Sequence, residues 1–174
     1  MSKKKVVMGI DPGISGFVAV MDVYNGKLLE TSRTKNLEAI AKTFNKYKKS
    51  YKIVKIAFEK ITGTAANTPA SALTLGKNVG QLEATIEAEG LTPVVKTFTS
   101  TQWQRSLKHH LKEISSKAAS VGVASKLAGK TIRNHNEADA INLAASALII
   151  YKKEQEVPTK LKKSLTVKKK KTKK

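Results

Sequence analysis

Three acidic residues and one histidine stand where this chain could do chemistry. Asp11 falls in Gly9-Ile10-Asp11-Pro12-Gly13-Ile14-Ser15-Gly16, directly after the apolar run Val6-Val7-Met8. Glu59 closes a second apolar run, after Ile56-Ala57-Phe58. Asp139 sits near the start of a long apolar stretch, in Asn134-His135-Asn136-Glu137-Ala138-Asp139-Ala140, with His135 four residues before it. An acid at the end of a core strand is unfavourable unless something neutralises it. Carboxylates and an imidazole brought together repel or desolvate one another unless a cation joins them. Hard oxygen ligands favour Mg2+ or Mn2+. Two such ions roughly 3.5–4 Å apart clamp a phosphodiester, activate water and stabilise the leaving oxygen. Metal-dependent phosphodiester hydrolysis, with two Mg2+ ions per site (Mn2+ as substitute) as cofactor, is the chemistry these residue types suit. Each residue also has a plainer reading: Asp11 as a turn acid before Pro-Gly, Glu59 as a surface charge beside Lys60, His135 as a helix-start residue.

Secondary elements must bring these positions together. Val6–Ile10 is a fully apolar run suited to a central strand, and 16–23 and 27–34 read as two more strands. Asn25-Gly26 between them is a hairpin signal. Asn36 or Thr34 can cap a helix with Leu37, Ile40, Ala41 and Phe44 at helical spacing. The stretch 52–58 alternates as a buried strand ending in Glu59; 61–69 is a polar loop. Leu75, Val79, Leu82 and Ile86 then mark a helix closed by Gly90. A strand is expected over 92–98, a turn capped by Ser100 or Thr101 carries Trp103 and Leu107, and Ser115-Ser116 opens a helix from about 117 to 127. The last helix is expected from about 136 to 153, with Ile141, Ala144, Ala145, Leu148 and Ile149 on a wide apolar face. Strands first, then alternating helices and strands, predict an α/β domain with a mixed sheet. If the strands ending in Asp11 and Glu59 are parallel neighbours, both carboxylates leave the same sheet edge.

Composition narrows the class. The 174 residues suit one domain, and no cysteine is present, which excludes disulfides and thiolate-bound zinc. No signal peptide is recognised, since the apolar run after Lys3-Lys4-Lys5 is broken by Asp11 and glycines. No apolar run approaches the length of a membrane span, so no membrane partner is expected. The 33 Lys and Arg against 13 Asp and Glu give a net charge of +20. From Lys152 onward, eleven lysines and two glutamates carry +9 of it, leaving +11 on the other 151 residues. A polyanion, most commonly nucleic acid, is the natural partner. A nuclease domain over 1–153 and a disordered lysine-rich tail over 154–174 are expected, with Pro158 past the end of the ordered part.

With Gly-Ile-Asp-Pro-Gly-Ile-Ser-Gly, Phe-Glu-Lys and His-Asn-Glu-Ala-Asp-Ala in this order, the chain resembles the RuvC-type Holliday junction resolvases over residues 5 to 151. The first motif alone is shared with sugar kinases and actin-like ATPases, whose two-lobed folds are much longer. The last motif, followed by a small-residue helix, carries the resemblance, and the last third looks more like phage or plastid-type members. The resemblance implies a ribonuclease H-like five-stranded mixed sheet flanked by helices. It also implies a homodimer and divalent-metal-dependent paired nicking of a four-way DNA junction, in the cytoplasm or a DNA-containing organelle. By motif position Asp11, Glu59 and Asp139 would be metal ligands and catalytic. Family members carry Asp or His a few residues before the final Asp; here His135 is the first choice, with Asn136 and Glu137 in reserve. Two other functions stay open: a catalytically silent DNA-binding protein, suggested by the neutral Asn136, and a nuclease acting on RNA–DNA hybrids.

Phosphate contacts are expected from lysines near the acidic edge. Lys60 follows Glu59, and Lys108, Lys112 and Lys117 lie where family members carry functional lysines. The alternative reading of each is a solvated basic face. The loop 62–67 could enter the junction's centre or be a plain connection. The face of Leu75, Val79, Leu82 and Ile86 is divided between dimer interface and core, and Trp103 is expected to anchor the core.

Overall fold

A computed structural model describes residues 3–13, 15–34, 36–60, 68–108 and 117–171; side chains at 37, 108, 117 and beyond 156 lie outside that description. The sheet has five strands: β1 (Lys4–Ile10), β2 (Phe17–Asp22), β3 (Leu28–Arg33), β4 (Tyr51–Glu59) and β5 (Val95–Phe98). Their order is β3-β2-β1-β4-β5. β1, β2 and β3 pair antiparallel, while β1–β4 and β4–β5 are parallel. This is the mixed sheet expected, with β1 and β4 as parallel neighbours. In the β2–β3 connection, Gly26 adopts φ 72° and Asp22 accepts hydrogen bonds from the backbone of Tyr24 and Asn25.

Two apolar layers cover the sheet. Val6, Met8 and Ile10 of β1, with Ile56 and Phe58 of β4, pack against α1 (Leu37–Ser50) and α2 (Pro69–Ala88) through Ile40, Phe44, Leu82 and Ile86. Val7, Ala19, Met21 and Ala57 face the other way, against α3 (Ser100–Lys108), α4 (Lys117–Ala128) and α5 (His135–Lys171). Strands buried on both faces explain why β1 reads as one apolar run. Each fully buried Phe or Ile side chain contributes about 1.5–3 kcal/mol.

α5 carries the second layer. From Ala140 to Leu148 every residue is buried, because sheet, α3 and α4 surround it. Its alanines let it approach β1 so closely that a Cβ built on Gly9 would overlap the Ala140 carbonyl and the Ala144 nitrogen. No side chain larger than hydrogen fits between these two backbones.

Several boundaries differ from the sequence reading. Residues 92–98 do not form one strand: Thr92–Val94 is a 3-10 turn and only Val95–Phe98 pairs with β4. Pro93, lacking an N–H, cannot donate to a ladder. α3 is capped by Thr99 rather than Ser100 or Thr101: Thr99 Oγ1 accepts from the Gln102 N–H, and Gln102 Oε1 accepts from the Thr99 N–H. That reciprocal pair is a capping box. α5 starts at His135 with Asn134 capping the backbone N–H groups of Asn136 and Glu137. Its backbone runs on to Lys171, past Pro158. Leu82 and Ile86 of α2 lie in the chain's own core, so that end of the disputed face is core. Val79 packs partly against it, while Leu73 is 77% exposed. The loop 62–67 and the cap Ser115-Ser116 lie outside the described residues.

Candidate metal and phosphate site

Strand register brings the first two acids together. Ile10 pairs with Phe58 across β1 and β4, so Asp11 and Glu59 follow as the next residues on adjacent strands, about 4.8 Å apart in the backbone. Side chains alternate along a strand. With Ile10 and Phe58 directed to α1 and α2, Asp11 and Glu59 belong to the side of α3 and α5. Asp139, in the first turns of α5 between buried Ala138 and Ala140, reaches the same edge.

Each acid is held by its surroundings. The Asp11 carboxylate accepts from the Gly13 N–H at 3.0 Å, while its own N–H donates to the Phe17 carbonyl at 2.9 Å. Asp11 is therefore both a turn acid and a member of the acidic edge. Gly16 closes the turn in a space where a Cβ would overlap the Asp11 carbonyl. Glu59 does not pair with Lys60, which is exposed. Instead it accepts from the Ser100 hydroxyl and, at 3.4 Å, from Trp103 Nε1–H. Asp139 accepts from the Ser120 hydroxyl at 2.9 Å, and Ser120 also accepts from the buried Asn142 amide at 2.8 Å.

Burial pushes the Asp11 carboxyl up to about 6, helped by the charges of Asp139 and Glu59 and opposed by the Gly13 hydrogen bond. Repulsion from both neighbours is what places the three carboxylates in one electrostatic group. The folded chain thus holds this proton more tightly than the unfolded chain does. Without divalent cations, ionising Asp11 opposes folding: the penalty is absent below pH ~4 and complete above pH ~6, on the order of 3 kcal/mol. In EDTA, the stability advantage of Asp11→Asn over the parent chain should grow from near zero at pH 4 to that size at pH 7, read by urea unfolding at each pH.

The three positions before Asp139 go to different places. His135 is exposed, and its side chain makes no hydrogen bond or ion pair with another described residue. Asn136 reaches across to the Asp11 turn, its amide donating to the Ser15 carbonyl at 3.0 Å. Glu137 turns to β3, accepting from the Thr31 hydroxyl at 2.6 Å and lying 3.9 Å from Lys130 Nζ. The reserve Glu137 is thus engaged away from the acidic edge.

The donor set is hard oxygen, and its mutual repulsion is what a divalent cation relieves. In kind, Asp11, Glu59 and Asp139 fit Mg2+ or Mn2+. As they stand, no three His, Cys, Asp or Glu side chains among the described residues are gathered closely enough to hold an ion.

Sequence reasoning missed Ser100, Trp103 and Ser120 as partners of the acids. Trp103 is 2% exposed and does anchor the core. A buried indole N–H needs an acceptor, which was the available signal for its contact with Glu59. Lys108 and Lys117 lie at the end of α3 and the start of α4, with side chains outside the described residues, as is all of Lys112.

A central sheet with three antiparallel and then two parallel strands, helices on both faces and acids at the ends of β1 and β4 is a ribonuclease H-like fold. More narrowly, it is the fold of the RuvC-type Holliday junction resolvases. The chain is similar to RuvC of Thermus thermophilus in complex with a Holliday junction substrate (TM-score 0.65, 17% identity, covering 85% of this chain and 95% of that one). It is also similar to a second Thermus thermophilus RuvC structure (TM-score 0.64, 18% identity, 86% and 96% covered). The yeast mitochondrial Holliday junction resolvase Ydc2 matches at TM-score 0.54 and 13% identity, over 86% of this chain and 80% of that one. At these identities the likeness is one of fold. No protein-family model and no curated protein sequence matches the chain. Among the described residues, no helix is long and apolar enough to cross a membrane.

Proposed function

We propose that this chain is a structure-selective endonuclease that resolves four-way DNA junctions by paired, two-metal phosphodiester hydrolysis. The observation that carries the proposal is that Asp11 and Glu59 leave adjacent ends of β1 and β4 in a RuvC-like sheet, with the Asp139 charge acting on the Asp11 carboxyl. In this reading Asp11, Glu59 and Asp139 hold the Mg2+ ions, with His135 as fourth ligand. Bound there, the ions would activate water and offset charge on the leaving oxygen. The chain's own groups position that chemistry: Gly13 orients Asp11, Ser100 and Trp103 orient Glu59, and Ser120 orients Asp139. Lys60, Lys108, Lys112 and Lys117 supply phosphate contacts. A homodimer presents two sites to opposed strands of a pseudo-symmetric junction. The proposal includes the phage or plastid-type subtype.

Two observations favour a second reading, a catalytically silent junction-binding protein. Asn136, a neutral amide, contacts the Asp11 turn, and the carboxylates are not gathered for an ion. Incubating the protein with labelled four-way junction, linear duplex and RNA–DNA hybrid, each in Mg2+, Mn2+ or EDTA, separates the readings. Nicks on the junction alone, requiring metal, support resolution. Junction binding with no nicks in either metal supports the silent reading, and hybrid cleavage supports a third nuclease class.

The lysine-rich tail gives a further expectation. Deleting the residues after Pro158 removes nine lysines and no acid. Junction affinity should fall and its salt dependence flatten, while the nicking rate at saturating DNA stays within about twofold. Loss of nicking at saturation would place the tail in the chemistry.

A further inference from the structure

The end of the sheet farthest from Asp11 gathers lysines around one exposed aromatic ring. β1 spans seven residues, so at about 3.3 Å per residue its start lies roughly 20 Å from the acidic edge. Lys3, Lys4 and Lys5 stand there, and the β2–β3 turn meets them: Asp22 pairs with Val6, and the Val23 N–H donates to the Lys5 carbonyl at 3.0 Å. A cleft of about 490 Å³ lies between the two segments, lined by the three lysines and by residues 22–25. The Tyr24 side chain, which lines it, is 94% exposed.

The turn that carries this ring is fixed by its own hydrogen bonds. The Tyr24 N–H donates to the Asp22 carboxylate at 2.8 Å, the Gly26 N–H to the Asp22 carbonyl at 3.0 Å, and the Asp22 N–H to the Lys27 carbonyl at 2.9 Å. The charges around it are unmet. Elsewhere Lys42, Lys46, Lys48, Lys55 and Lys130 each face a glutamate. Among the described residues, none of Lys3, Lys4, Lys5 and Lys27 pairs with a carboxylate. Lys3 Nζ donates to the Lys48 carbonyl at 2.6 Å and Lys5 Nζ to the Tyr151 hydroxyl at 3.0 Å, both neutral acceptors. Asp22, the one acid lining the cleft, is taken up by the backbone of Tyr24 and Asn25. α5 reaches the same end at Tyr151, where Lys152 and Lys153 follow. Like charges gathered in this way repel one another until a polyanion meets them.

Unpaired lysines beside an aromatic ring with a free face are the parts of a single-strand site: the cations follow the phosphates and a base stacks on the ring. In a duplex each base is already stacked on its neighbours, so a ring at a turn finds no base face there. An anionic membrane would attract the lysines, but it needs an apolar face to bury, and Tyr24 is followed by Asn25, Gly26 and Lys27. We propose that this end of the sheet is a second nucleic-acid site, separate from the acidic edge. It holds unpaired nucleic acid without regard to base sequence, one base stacking on Tyr24 and the neighbouring phosphates meeting Lys3, Lys4, Lys5 and Lys27. The proposal stands apart from the endonuclease reading, since it needs neither a metal nor a cut.

The test is fluorescence anisotropy on the full chain in EDTA, with a labelled oligothymidylate of about 15 nucleotides and a blunt duplex of the same length. Salt is held near ~0.2 M, where binding by lysines alone is weak. Tyr24→Ala should lower affinity for the oligothymidylate by about fivefold or more, while Tyr24→Phe, which keeps the stacking face, stays within about twofold of the parent. Duplex affinity should stay within about twofold in both variants. The double variant Lys4→Gln/Lys27→Gln should bind the oligothymidylate more weakly and with a flatter salt dependence. Tyr24 is almost wholly exposed, so the melting temperature of Tyr24→Ala should match the parent's. A Tyr24→Ala protein that binds the oligothymidylate like the parent would overturn the proposal. So would equal losses on oligothymidylate and duplex, which would leave only charge. Loss of binding to phosphatidylserine vesicles, with oligothymidylate binding intact, would assign the surface to a membrane instead.

Discussion

Replacing Asp11 by asparagine is expected to lower junction nicking in Mg2+ by at least ~10³-fold, the equivalent of ~4 kcal/mol of transition-state stabilisation. Junction affinity in EDTA should change by less than about threefold. The substitution keeps the side chain's size and keeps an oxygen to accept from the Gly13 N–H, so the turn survives. What is lost is one negative oxygen at the end of β1, beside Glu59 through the β1–β4 register and within reach of the Asp139 charge. The same change should make the metal-free protein more stable. Burial and the charges of Asp139 and Glu59 raise the Asp11 carboxyl to about 6, so at pH 7.5 the folded chain carries an opposed charge that asparagine removes. The gain, on the order of 2–3 kcal/mol, corresponds to roughly 5–10 °C in Tm for a domain of this size. A site that is less stable than its neutral variant, and inactive once neutralised, has its charge retained for function. An Asp11→Asn protein that nicks like the parent, or that melts lower in EDTA, would contradict this account of the acidic edge.

Gly9→Ala should be among the most destabilising single-methyl additions. A Cβ at position 9 would meet the Ala140 carbonyl and the Ala144 nitrogen, backbone atoms of a helix buried on all sides. Backbone cannot rotate away as a side chain can, so α5 must lift from β1. Overpacking in a rigid core typically destabilises by about 1–3 kcal/mol, occasionally more. With two backbone atoms obstructing, a loss of at least ~3 kcal/mol is expected, or a Tm drop near 10 °C. α5 also carries Asp139, so the variant should lose nicking at temperatures where it is still folded. Thermal unfolding followed by circular dichroism, with nicking assayed 15 °C below the new Tm, checks both. By contrast, the same change at Gly76 or Gly80 of α2, where a Cβ meets nothing, should be neutral or slightly stabilising.

Much of the frame was legible from local signals. The apolar run before Asp11 is β1, the alternation before Glu59 is β4, and Asn36 is the cap of α1. The parallel neighbourhood of β1 and β4 was a conditional inference from where two acids fell, and the observed register matches it. What was not legible depends on contacts far apart in sequence. Ser100 and Trp103 meet Glu59 across 41 and 44 residues, and Ser120 meets Asp139 across 19. No spacing rule on one element forecasts such pairs. The start of α3 slipped by one residue: Ser100 and Thr101 were the expected caps, and the geometry of the cap, not its residue type, selects Thr99. The split among His135, Asn136 and Glu137 also needed tertiary neighbours: helical spacing alone lets two of them share a face with Asp139, while Ser15 and Thr31 show where Asn136 and Glu137 actually reach.

Coordinated cleavage tests the central claim most directly. A supercoiled plasmid that extrudes a cruciform presents one four-way junction per molecule. A resolvase working as a two-fold dimer cuts two opposed strands within one binding event and yields linear plasmid. The account predicts linear product in Mg2+, ends mapping to the cruciform base, none in EDTA, and none with Asp11→Asn. Cruciform binding without any strand cleavage, in Mg2+ and Mn2+ alike, would contradict it.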